Sequence, residues 1–421
     1  MIKSLSTGVS GLNANAAAMG VIGDNIANVK TTAFKANSIS FANLLSQSIE
    51  GNSAGDGVRV WNTQTSWGQG SPENTGNSTD LAINGNGFFT VRDTSGATYY
   101  TRAGQFNFNK EGFLVNPDGM KVQGYAIDQL TGNIGGIEDI RIERSISLPN
   151  PTTTIRTQLN LDAEAEVGEN FFSTITVYDT LGTAIPLTLA FTKAADNQWD
   201  WEATLPDSAA GTHTPPYDPV SVSTGSIEFG ADGSLLPANG TNPSMAISLT
   251  NGAAINPPDN AITWDLYDYD EAAGQTEGPA NGSMTQYASP SGASGLSQDG
   301  FPSGAMESVS VNEEGFVSGV YTNGEVRPLY QLALADFANY QGLTGKGSNL
   351  YAESLSSGAP TVGLPGSGSL GGITPGALEM SNVDLSSEFV KMITTQRAFQ
   401  ANSKVITTSD EILSELMNLK R

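Results

Sequence analysis

The chain has 421 residues, a formal net charge of −24 and no cysteine. This length exceeds one ordinary core, so more than one domain is expected, and 48 glycines with 20 prolines favour a turn-rich β protein over a helical enzyme. Without cysteine there is no disulfide, zinc-finger site or thiol nucleophile.

The first 30 residues also lack the features of a secretory signal. They show no basic region followed by an apolar stretch and a cleavage site, so no cleaved signal peptide is expected. No apolar run reaches the length of about 18 residues that a transmembrane helix needs, so no membrane insertion is expected. Work outside the cell would require a different export route.

Residues 1–30 are predicted to form a first helix, because apolar residues recur at steps of three and four. Gly8, Gly11, Gly20 and Gly23 each oppose the isolated helix by about 1 kcal/mol relative to alanine. We therefore expect this helix to fray alone and to form when packed, with the small residues allowing a close partner. The apolar ladder, a predicted assembly interface, comprises Ile2, Leu5, Val9, Leu12, Ala16, Met19 and Ile26.

Residues 31–75 lose this period and are predicted to form a linking arm together with residues 356–383. Within the second part, the Gly- and Pro-rich stretch 358–372 is typical of a flexible tether. Apolar residues in the first part predict a short helix or an extended arm; they are Phe34, Ile39, Phe41, Leu44 and Leu45.

Residues 76–148 and 291–355 are predicted to be the two halves of an inner β domain. Alternation at Phe88–Val91 indicates a strand. The phrase Phe108–Phe113 resembles Val311–Phe316, and both contain the Asn and Gly of a turn. Related hairpins are therefore expected in the two halves.

Residues 149–290 are predicted to form an outer β domain inserted between these halves. From Thr157 to Val326 the chain carries 23 acidic residues against one basic residue, Lys193. So acidic a surface repels nucleic acid and anionic lipid, and it suits either a repulsive solvated exterior or a cation-binding role. The predicted strands are Phe171–Tyr178, Ile185–Phe191, Trp199–Leu205, Val220–Phe229 and Ile262–Tyr267.

Residues 384–421 are predicted to form the last helix, with Asp384 as its N-cap. It has two apolar stripes, one predicted to meet the first helix in a coiled-coil seam and the other to need a neighbouring subunit. The first stripe comprises Leu385, Phe389, Met392, Phe399, Ile406, Leu413 and Met417. The second comprises Ala398, Ala401, Val405, Ile412, Leu416 and Leu419.

No constellation for catalysis is evident. His213 is the single histidine and has no nucleophile motif around it, and Gly342–Gly347 lacks the spacing of a phosphate-binding loop. No enzyme activity, cofactor or metal is therefore expected. One local acidic cluster lacks the glycine and glutamate positions of a calcium loop; it comprises Asp265, Asp268, Asp270 and Glu271.

Three motifs follow one another along the chain. The first includes Asn25, Ala27, Asn28, Thr31, Thr32, Phe34 and Lys35. The second is Asp80–Phe89 with Arg102–Phe106. The third includes Ser381–Leu385 with Gln396, Arg397, Ala398 and Phe399. In this order they resemble the signature of the bacterial flagellar rod and hook protein family, and the central region resembles the outer domain of hook members.

The resemblance implies a structural subunit of the hook, which self-assembles into a flexible tube and acts as a universal joint that passes torque from rod to filament. It implies as partners further copies of the chain, the rod, the hook cap, the hook-filament junction proteins and the flagellar type III export apparatus. It also implies an extracellular location in the flagellar basal body and hook, reached without signal cleavage.

The expected fold is multidomain α+β, with discontinuous terminal coiled-coil helices and two β-rich domains, the outer inserted into the inner. Two alternatives in function remain open. One is a distal flagellar rod protein with an insertion, and the other is a secreted cation-binding β surface protein or adhesin.

Overall fold

The computed structural model describes residues 2–45, 55–128, 131–143, 146–210, 218–236, 242–270, 275–279 and 284–418. In these residues the predicted β-rich middle between two terminal helices is confirmed. The helices are α1 (Ile2–Ala27), α2 (Asp207–Ala210) and α3 (Leu385–Asn418), with a 3-10 turn at Tyr340–Gly342.

The strands follow in chain order. They are β1 (Asn37–Leu45), β2 (Gly55–Thr65), β3 (Pro72–Asn74), β4 (Leu81–Asn84), β5 (Phe88–Arg92), β6 (Thr98–Thr101), β7 (Asn107–Phe108), β8 (Leu114–Val115), β9 (Lys121–Ile127), β10 (Ile134–Asp139), β11 (Ile146–Ser147), β12 (Thr154–Asn160), β13 (Asn170–Tyr178), β14 (Ala184–Ala195), β15 (Gln198–Leu205), β16 (Val220–Glu228), β17 (Ser244–Ala246), β18 (Ala261–Trp264), β19 (Tyr267–Asp270), β20 (Gln275–Pro279), β21 (Met284–Thr285), β22 (Gly292–Gln298), β23 (Gly304–Val311), β24 (Phe316–Tyr321), β25 (Val326–Leu332), β26 (Leu334–Asp336), β27 (Thr344–Gly347), β28 (Leu350–Ala352), β29 (Thr361–Gly363), β30 (Gly372–Pro375) and β31 (Ala377–Glu379).

The chain divides into two compact units. The helix-bearing unit comprises Met1–Arg144, Ser308–Val320 and Val326–Arg421, and the acidic unit comprises Ser145–Glu307 and Tyr321–Glu325. Both terminal helices thus belong to one unit, although almost the whole length of the chain separates them.

A sheet in the helix-bearing unit runs in the order β24-β25-β9-β5-β6-β28-β27. Phe89 of β5 is fully buried and meets Phe106 edge to face, with ring centroids 5.1 Å apart. Such aromatic pairs add to the stabilisation from burial alone, so this contact anchors β5 to the core.

The two related phrases form matching turns, as predicted. The Asn109 side chain accepts a hydrogen bond from the Phe113 N–H at 2.9 Å, and Asn312 accepts one from the residue four positions on at 2.8 Å. Gly112 and Gly315 have φ angles of 83° and 78°, which glycine adopts without strain. The Asn and Gly of each phrase therefore specify the same turn geometry.

Two larger sheets pack around one apolar core in the acidic unit, and β19 and β20 form a separate two-stranded sheet. One is the antiparallel meander β13-β14-β15-β16, and the other runs β17-β18-β12-β21, with β22 beside β12. Trp201 and Trp264 meet in the core, with ring centroids 5.1 Å apart and nearly perpendicular planes. Burial alternates along β13, as expected for a sheet with one solvated face. The first four strands predicted here are confirmed, whereas the fifth, Ile262–Tyr267, is divided between the end of β18 and the start of β19.

The linking arm differs in part from its prediction. β1 and β2 pair into an antiparallel ribbon, which is the extended alternative rather than the short helix. The Gly-rich stretch 358–372 contains β29, and this strand pairs with β26. Backbone hydrogen bonds to β26 hold this part of the stretch in place. The glycine and proline content predicted a flexible tether because composition carries no information about which distant strand a segment pairs with.

Candidate functional site

The terminal helices α1 and α3 pack together and run antiparallel. Near one end of the pair, Ser4 Oγ lies 3.3 Å from Ser409 Oγ. Near the other end, Asn25 Nδ2 donates to Glu388 Oε2 at 3.3 Å.

At the start of α3 the Asp384 carboxylate accepts a hydrogen bond from the Ser386 N–H at 2.9 Å, which confirms the predicted N-cap.

Two glycines allow the helices to approach closely. A Cβ atom added to Gly8 would lie 2.9 Å from Ile406 Cγ1, and one added to Gly11 would lie 2.8 Å from Asn402 Nδ2. At Gly20 and Gly23 a Cβ would meet no described atom within 4 Å. The close approach expected of these small residues is therefore confirmed at the first two positions, whereas the other two face open space.

The buried face of α1 differs from the apolar ladder in the sequence. Its residues are mostly small, since a short side chain is what permits the backbones to come together; they are Gly8, Gly11, Ala14, Ala18, Ile22 and Asn25. The ladder lies to the side of this face: Val9 and Ala16 are exposed, and half-buried positions are held by Leu5, Leu12, Met19 and Ile26.

One stripe of α3 follows the contact with α1. Glu388 and Ser409 are buried in it, and its half-buried apolar members are Met392, Phe399, Ile406 and Leu413. Leu385 and Phe389 belong to the same predicted stripe but are exposed. The later members of this stripe are therefore partly covered, whereas the residues of its first turn are not.

A broad apolar surface on α3 is left uncovered by α1. Phe389, Val390 and Ile393 are 50%, 61% and 51% exposed. Of the second predicted stripe, Ala398 is half-buried, and the exposed members are Ala401, Val405 and Ile412. The side chains of Ile2, Leu416 and Met417, and all of Leu419, lie outside the described residues.

Asn25, at the end of α1, ties three elements together. Its amide donates to the Asn37 carbonyl at 2.7 Å and its side-chain oxygen accepts from the Asn37 N–H at 2.8 Å, so it fixes the start of β1. The same amide reaches Glu388 of α3. A buried side chain that satisfies its donors and acceptor in this way specifies one geometry.

Asn382, just before α3, also connects several elements through its side chain. Its side-chain oxygen accepts from the Ala36 N–H at 2.8 Å. Its amide donates to the carbonyls of Ser66 and Gly68 at 2.8 and 2.9 Å. The entry to β1, the exit from β2 and the entry to α3 therefore share one side chain.

A buried ion cluster joins this junction to the sheet. Glu379 is fully buried and lies 2.6 Å from Lys35 Nζ and 3.5 Å from Arg102 Nη1. Glu379 also accepts from the Gly70 N–H at 2.9 Å, and Lys35 donates to the Gly68 carbonyl at 2.9 Å. Burial lowers the pKa of Lys35 from 10.5, although the charge of Glu379 opposes that shift.

Two cations against one carboxylate make this cluster dependent on Glu379. The burial that lowers the pKa of Lys35 also lowers that of Arg102. Loss of the carboxylate would leave both cations buried without an opposite charge, which is the expensive way to break a buried ion pair.

The ribbon of β1 and β2 packs along α1. The Val58 N–H donates to Ser10 Oγ at 3.2 Å, and a Cβ on Gly57 would lie 2.1 Å from that oxygen. Three large apolar side chains of the ribbon, those of Phe41, Val60 and Trp61, are exposed. The helix α1 is therefore covered on one side by α3 and on another by the ribbon.

The family motifs also place residues on the surface. Ala27, Gln396 and Arg397 are exposed. Asn28 donates to the Asp24 carbonyl at 3.0 Å and accepts from Thr31 Oγ1 at 3.0 Å, which shapes the turn after α1. Thr32 and Phe34 are half-buried.

Sequence reasoning assigned no contact to Glu379 and Glu388, and it included Asn382 only as a member of the third motif. The available signal for Glu379 was Lys35, which follows Ala33 and Phe34 in the first motif. A lysine that is buried with such apolar neighbours needs an acidic partner. Sequence alone could not say which of the many carboxylates would supply it.

An aromatic cluster beside the ion cluster gives the helix-bearing unit a pH dependence. Burial raises the pKa values of Tyr100, Tyr340 and Tyr351 from 10.0 to about 12. Between these values the folded chain holds protons that the unfolded chain releases, so its stability falls as the pH rises from 10 to 12. Changing Tyr351→Phe should move the alkaline unfolding midpoint to higher pH, as followed by tyrosinate absorbance.

Tyr287 provides the control, since it is exposed. A Tyr287→Phe chain should keep the original alkaline midpoint. An unchanged midpoint in Tyr351→Phe as well would contradict the expected linkage.

Within the described ranges, no group of three or more His, Asp or Glu side chains is placed to hold a metal ion. His213, Glu271 and the side chains of Asp268 and Asp270 lie outside those ranges. No described helix has the length and apolar character needed to cross a membrane.

Four family models match the chain in order. Residues 5–35 match "Flagella basal body rod protein", and residues 82–162 match "Flagellar hook protein FlgE/F/G D1 domain". Residues 148–301 match "Flagellar basal body protein FlaE D2 domain", and residues 374–419 match "Flagellar basal body rod FlgEFG protein C-terminal".

Curated relatives match over almost the whole chain. The flagellar hook protein FlgE of Escherichia coli is 34% identical over 99% of this chain and 100% of the relative. The flagellar hook protein FlgE of Salmonella typhimurium is 35% identical over 99% of this chain and 100% of the relative. That of Treponema pallidum is 32% identical over the full length of both chains.

The fold also resembles a solved structure. The crystal structure of Helicobacter pylori flagellar hook protein FlgE2 aligns with a TM-score of 0.50 at 15% identity, covering 73% of this chain and 100% of that one. Together with full-length relatives above 30% identity, these matches show that the chain belongs to the flagellar hook protein FlgE family.

Proposed function

We propose that this structural hook protein self-assembles through its terminal helices into a flexible tube that passes torque from the rod to the filament. The observation that carries the proposal is the apolar surface of α3 that α1 leaves uncovered, at Phe389, Val390 and Ile393. An exposed apolar patch of this kind marks a protein contact. A contact between different surfaces of identical chains gives an open helical assembly when its rotation does not close a ring, and a tube requires such a contact.

The inner wall of the tube is formed by residues 1–30 and 384–421 as a coiled-coil domain. The close helix contact at Gly8 and Gly11 supports this. Residues 31–75 and 356–383 form the linking arm, which is supported by the hydrogen bonds of Asn25 and Asn382. A stiff junction of this kind is what transmission of torque needs.

Residues 76–148 and 291–355 form an inner β domain, and residues 149–290 form an outer domain inserted into it. The discontinuous composition of the helix-bearing unit supports the insertion. The outer domains repel one another through their acidic charge and touch mainly through polar groups. Wet polar contacts can be exchanged without a large barrier, and this would let the tube bend while it rotates.

The other components follow from this role. Partners are further copies of the chain, the rod, the hook cap, the hook-filament junction proteins and the flagellar type III export apparatus. The location is the hook outside the cell. The chain needs no enzymatic activity or cofactor for this work.

A proline in α1 tests the role of the helices. Ala16 is exposed, so Ala16→Pro leaves the core packing intact while breaking the helix at a cost of about 3 kcal/mol. Cells making only this variant should export the chain but show no hooks by electron microscopy. Ala16→Ser, at the same exposed position, should give normal hooks. Normal hooks from the proline variant would contradict the proposal.

A further inference from the structure

A residue with a strained backbone follows α1. Ala33 has a φ angle of 56° and is fully buried. The left-handed region is unfavourable for a residue that carries a Cβ atom. Of the five other described non-glycine residues with positive φ, four are asparagines, which tolerate it because their side chains hydrogen-bond locally. Alanine has no such group, so contacts from elsewhere in the chain must hold this conformation.

Ala33 is the third residue of a tight turn from Thr31 to Phe34. The Phe34 N–H donates to the Thr31 carbonyl at 3.2 Å, and Thr32 does not share the positive φ. A positive φ at the third position alone defines a type II turn, in which glycine or asparagine is the usual third residue. A type I turn has a negative φ at the same position and accepts alanine. This sequence therefore has a less strained alternative to the turn it forms.

The two turn types differ mainly in the orientation of their central peptide group, which is rotated by about 180°. Here that group joins Thr32 to Ala33, and it is held at both ends. The Thr32 carbonyl accepts a hydrogen bond from Asn349 Nδ2 at 2.7 Å. The Ala33 N–H donates to the Glu379 carbonyl at 2.7 Å. Rotation of the peptide would break both bonds, so these two contacts select the strained form.

The two residues that hold the peptide belong to distant strands. Asn349 connects β27 to β28, and Glu379 is the last residue of β31. Glu379 also binds Lys35 through its carboxylate, so its backbone and its side chain hold neighbouring parts of the arm. Because neither partner is close to Ala33 in the sequence, the strained turn is favoured only after these strands of the helix-bearing unit are in place.

We propose that the turn Thr31–Phe34 is a latch, closed as a type II turn when Asn349 and Glu379 are in place and open as a type I turn when they are not. The closed latch ties the end of α1 to β31, so the helical base is completed only on a chain whose sheet has formed. Alanine makes closure depend on both partners, whereas glycine at this position would let the turn close alone. The inference rests on the proposed self-assembly and makes it conditional on the folding of the helix-bearing unit.

Hydrogen exchange of the full-length monomer measures the opening of the latch, read by mass spectrometry on peptides that cover residues 28–37. Ala33→Gly removes the strain and should slow exchange there about threefold to tenfold. Ala36→Gly is the matched control, because Ala36 has no positive φ, and glycine should speed exchange at such a position. Faster exchange in Ala33→Gly as well would overturn the latch.

Asn349→Asp tests the hold on the central peptide. The new carboxylate keeps the size of the side chain but cannot donate to the Thr32 carbonyl. Exchange of residues 28–37 should become about tenfold faster, and the combined variant Ala33→Gly/Asn349→Asp should return toward the natural rate. Asn107→Asp makes the same charge change at an exposed site on β7 and should have no effect. An unchanged rate in Asn349→Asp would overturn the proposal.

The concentration needed for polymer formation separates the latch from the proposed function. Only closed chains are competent, so Asn349→Asp should raise this concentration about threefold, and the addition of Ala33→Gly should restore it. A combined variant no better than Asn349→Asp alone would overturn the link between the latch and assembly while leaving the proposed function standing. Failure of the natural chain to form polymers would instead count against the proposed function.

Discussion

Replacement of both Gly8 and Gly11 by valine is expected to abolish hook formation. A Cβ at these positions would already lie 2.9 and 2.8 Å from side-chain atoms of α3, and the two methyl groups of valine would extend further into the same space. The helices would have to separate, which removes the paired base. Valine forms helices somewhat better than glycine, so a loss of hooks would not come from the helix itself.

The measurement is the number of hooks on cells that make only the variant, with the exported chain quantified in the medium. Gly23→Ala is the matched control, because no described atom lies within 4 Å of a Cβ there. It should keep hook formation and favour the helix by about 1 kcal/mol. Normal hook numbers in the double valine variant would show that close helix contact is dispensable.

Glu379→Gln is expected to have the second large effect, on stability. The change keeps the shape of the side chain but leaves Lys35 and Arg102 as buried cations without an opposite charge. Loss of one partner from a buried ion pair costs about 3–5 kcal/mol. The melting temperature of the helix-bearing unit should therefore fall by roughly 10 °C, as measured by calorimetry on the full chain.

Two further variants test whether the loss of stability comes from the buried ion cluster. Glu73→Gln removes an exposed glutamate from β3, the strand that pairs with the strand of Glu379, and should change stability by less than about 0.5 kcal/mol. Lys35→Met combined with Glu379→Gln should be less destabilised than the sum of the two single changes, because the residues interact directly. Equal melting of Glu379→Gln and Glu73→Gln would rule out the ion cluster as a main source of stability.

The elements of this fold could be predicted well where the pattern is local. The period of α1, the N-cap at Asp384 and the turn at Asn109 each depend on residues a few positions apart. The strands of the acidic unit were equally accessible, since alternation in β13 reflects one buried and one solvated face.

What could not be predicted depends on size and on distant partners. The apolar pattern predicted that Val9 and Leu12 would form the helix contact. In the structure Gly8 and Gly11 form it instead, because residues without a side chain allow the two backbones to approach. Glu379 lies 344 positions from Lys35, and no local pattern connects them.

A helical reconstruction of the native polymer by electron cryomicroscopy tests most directly whether the terminal helices build the tube. We expect α1 and α3 to line the central channel as an antiparallel pair, with Phe389, Val390 and Ile393 buried against a neighbouring copy. A polymer held together only by its β units, with these three side chains facing solvent, would contradict assembly through the helices.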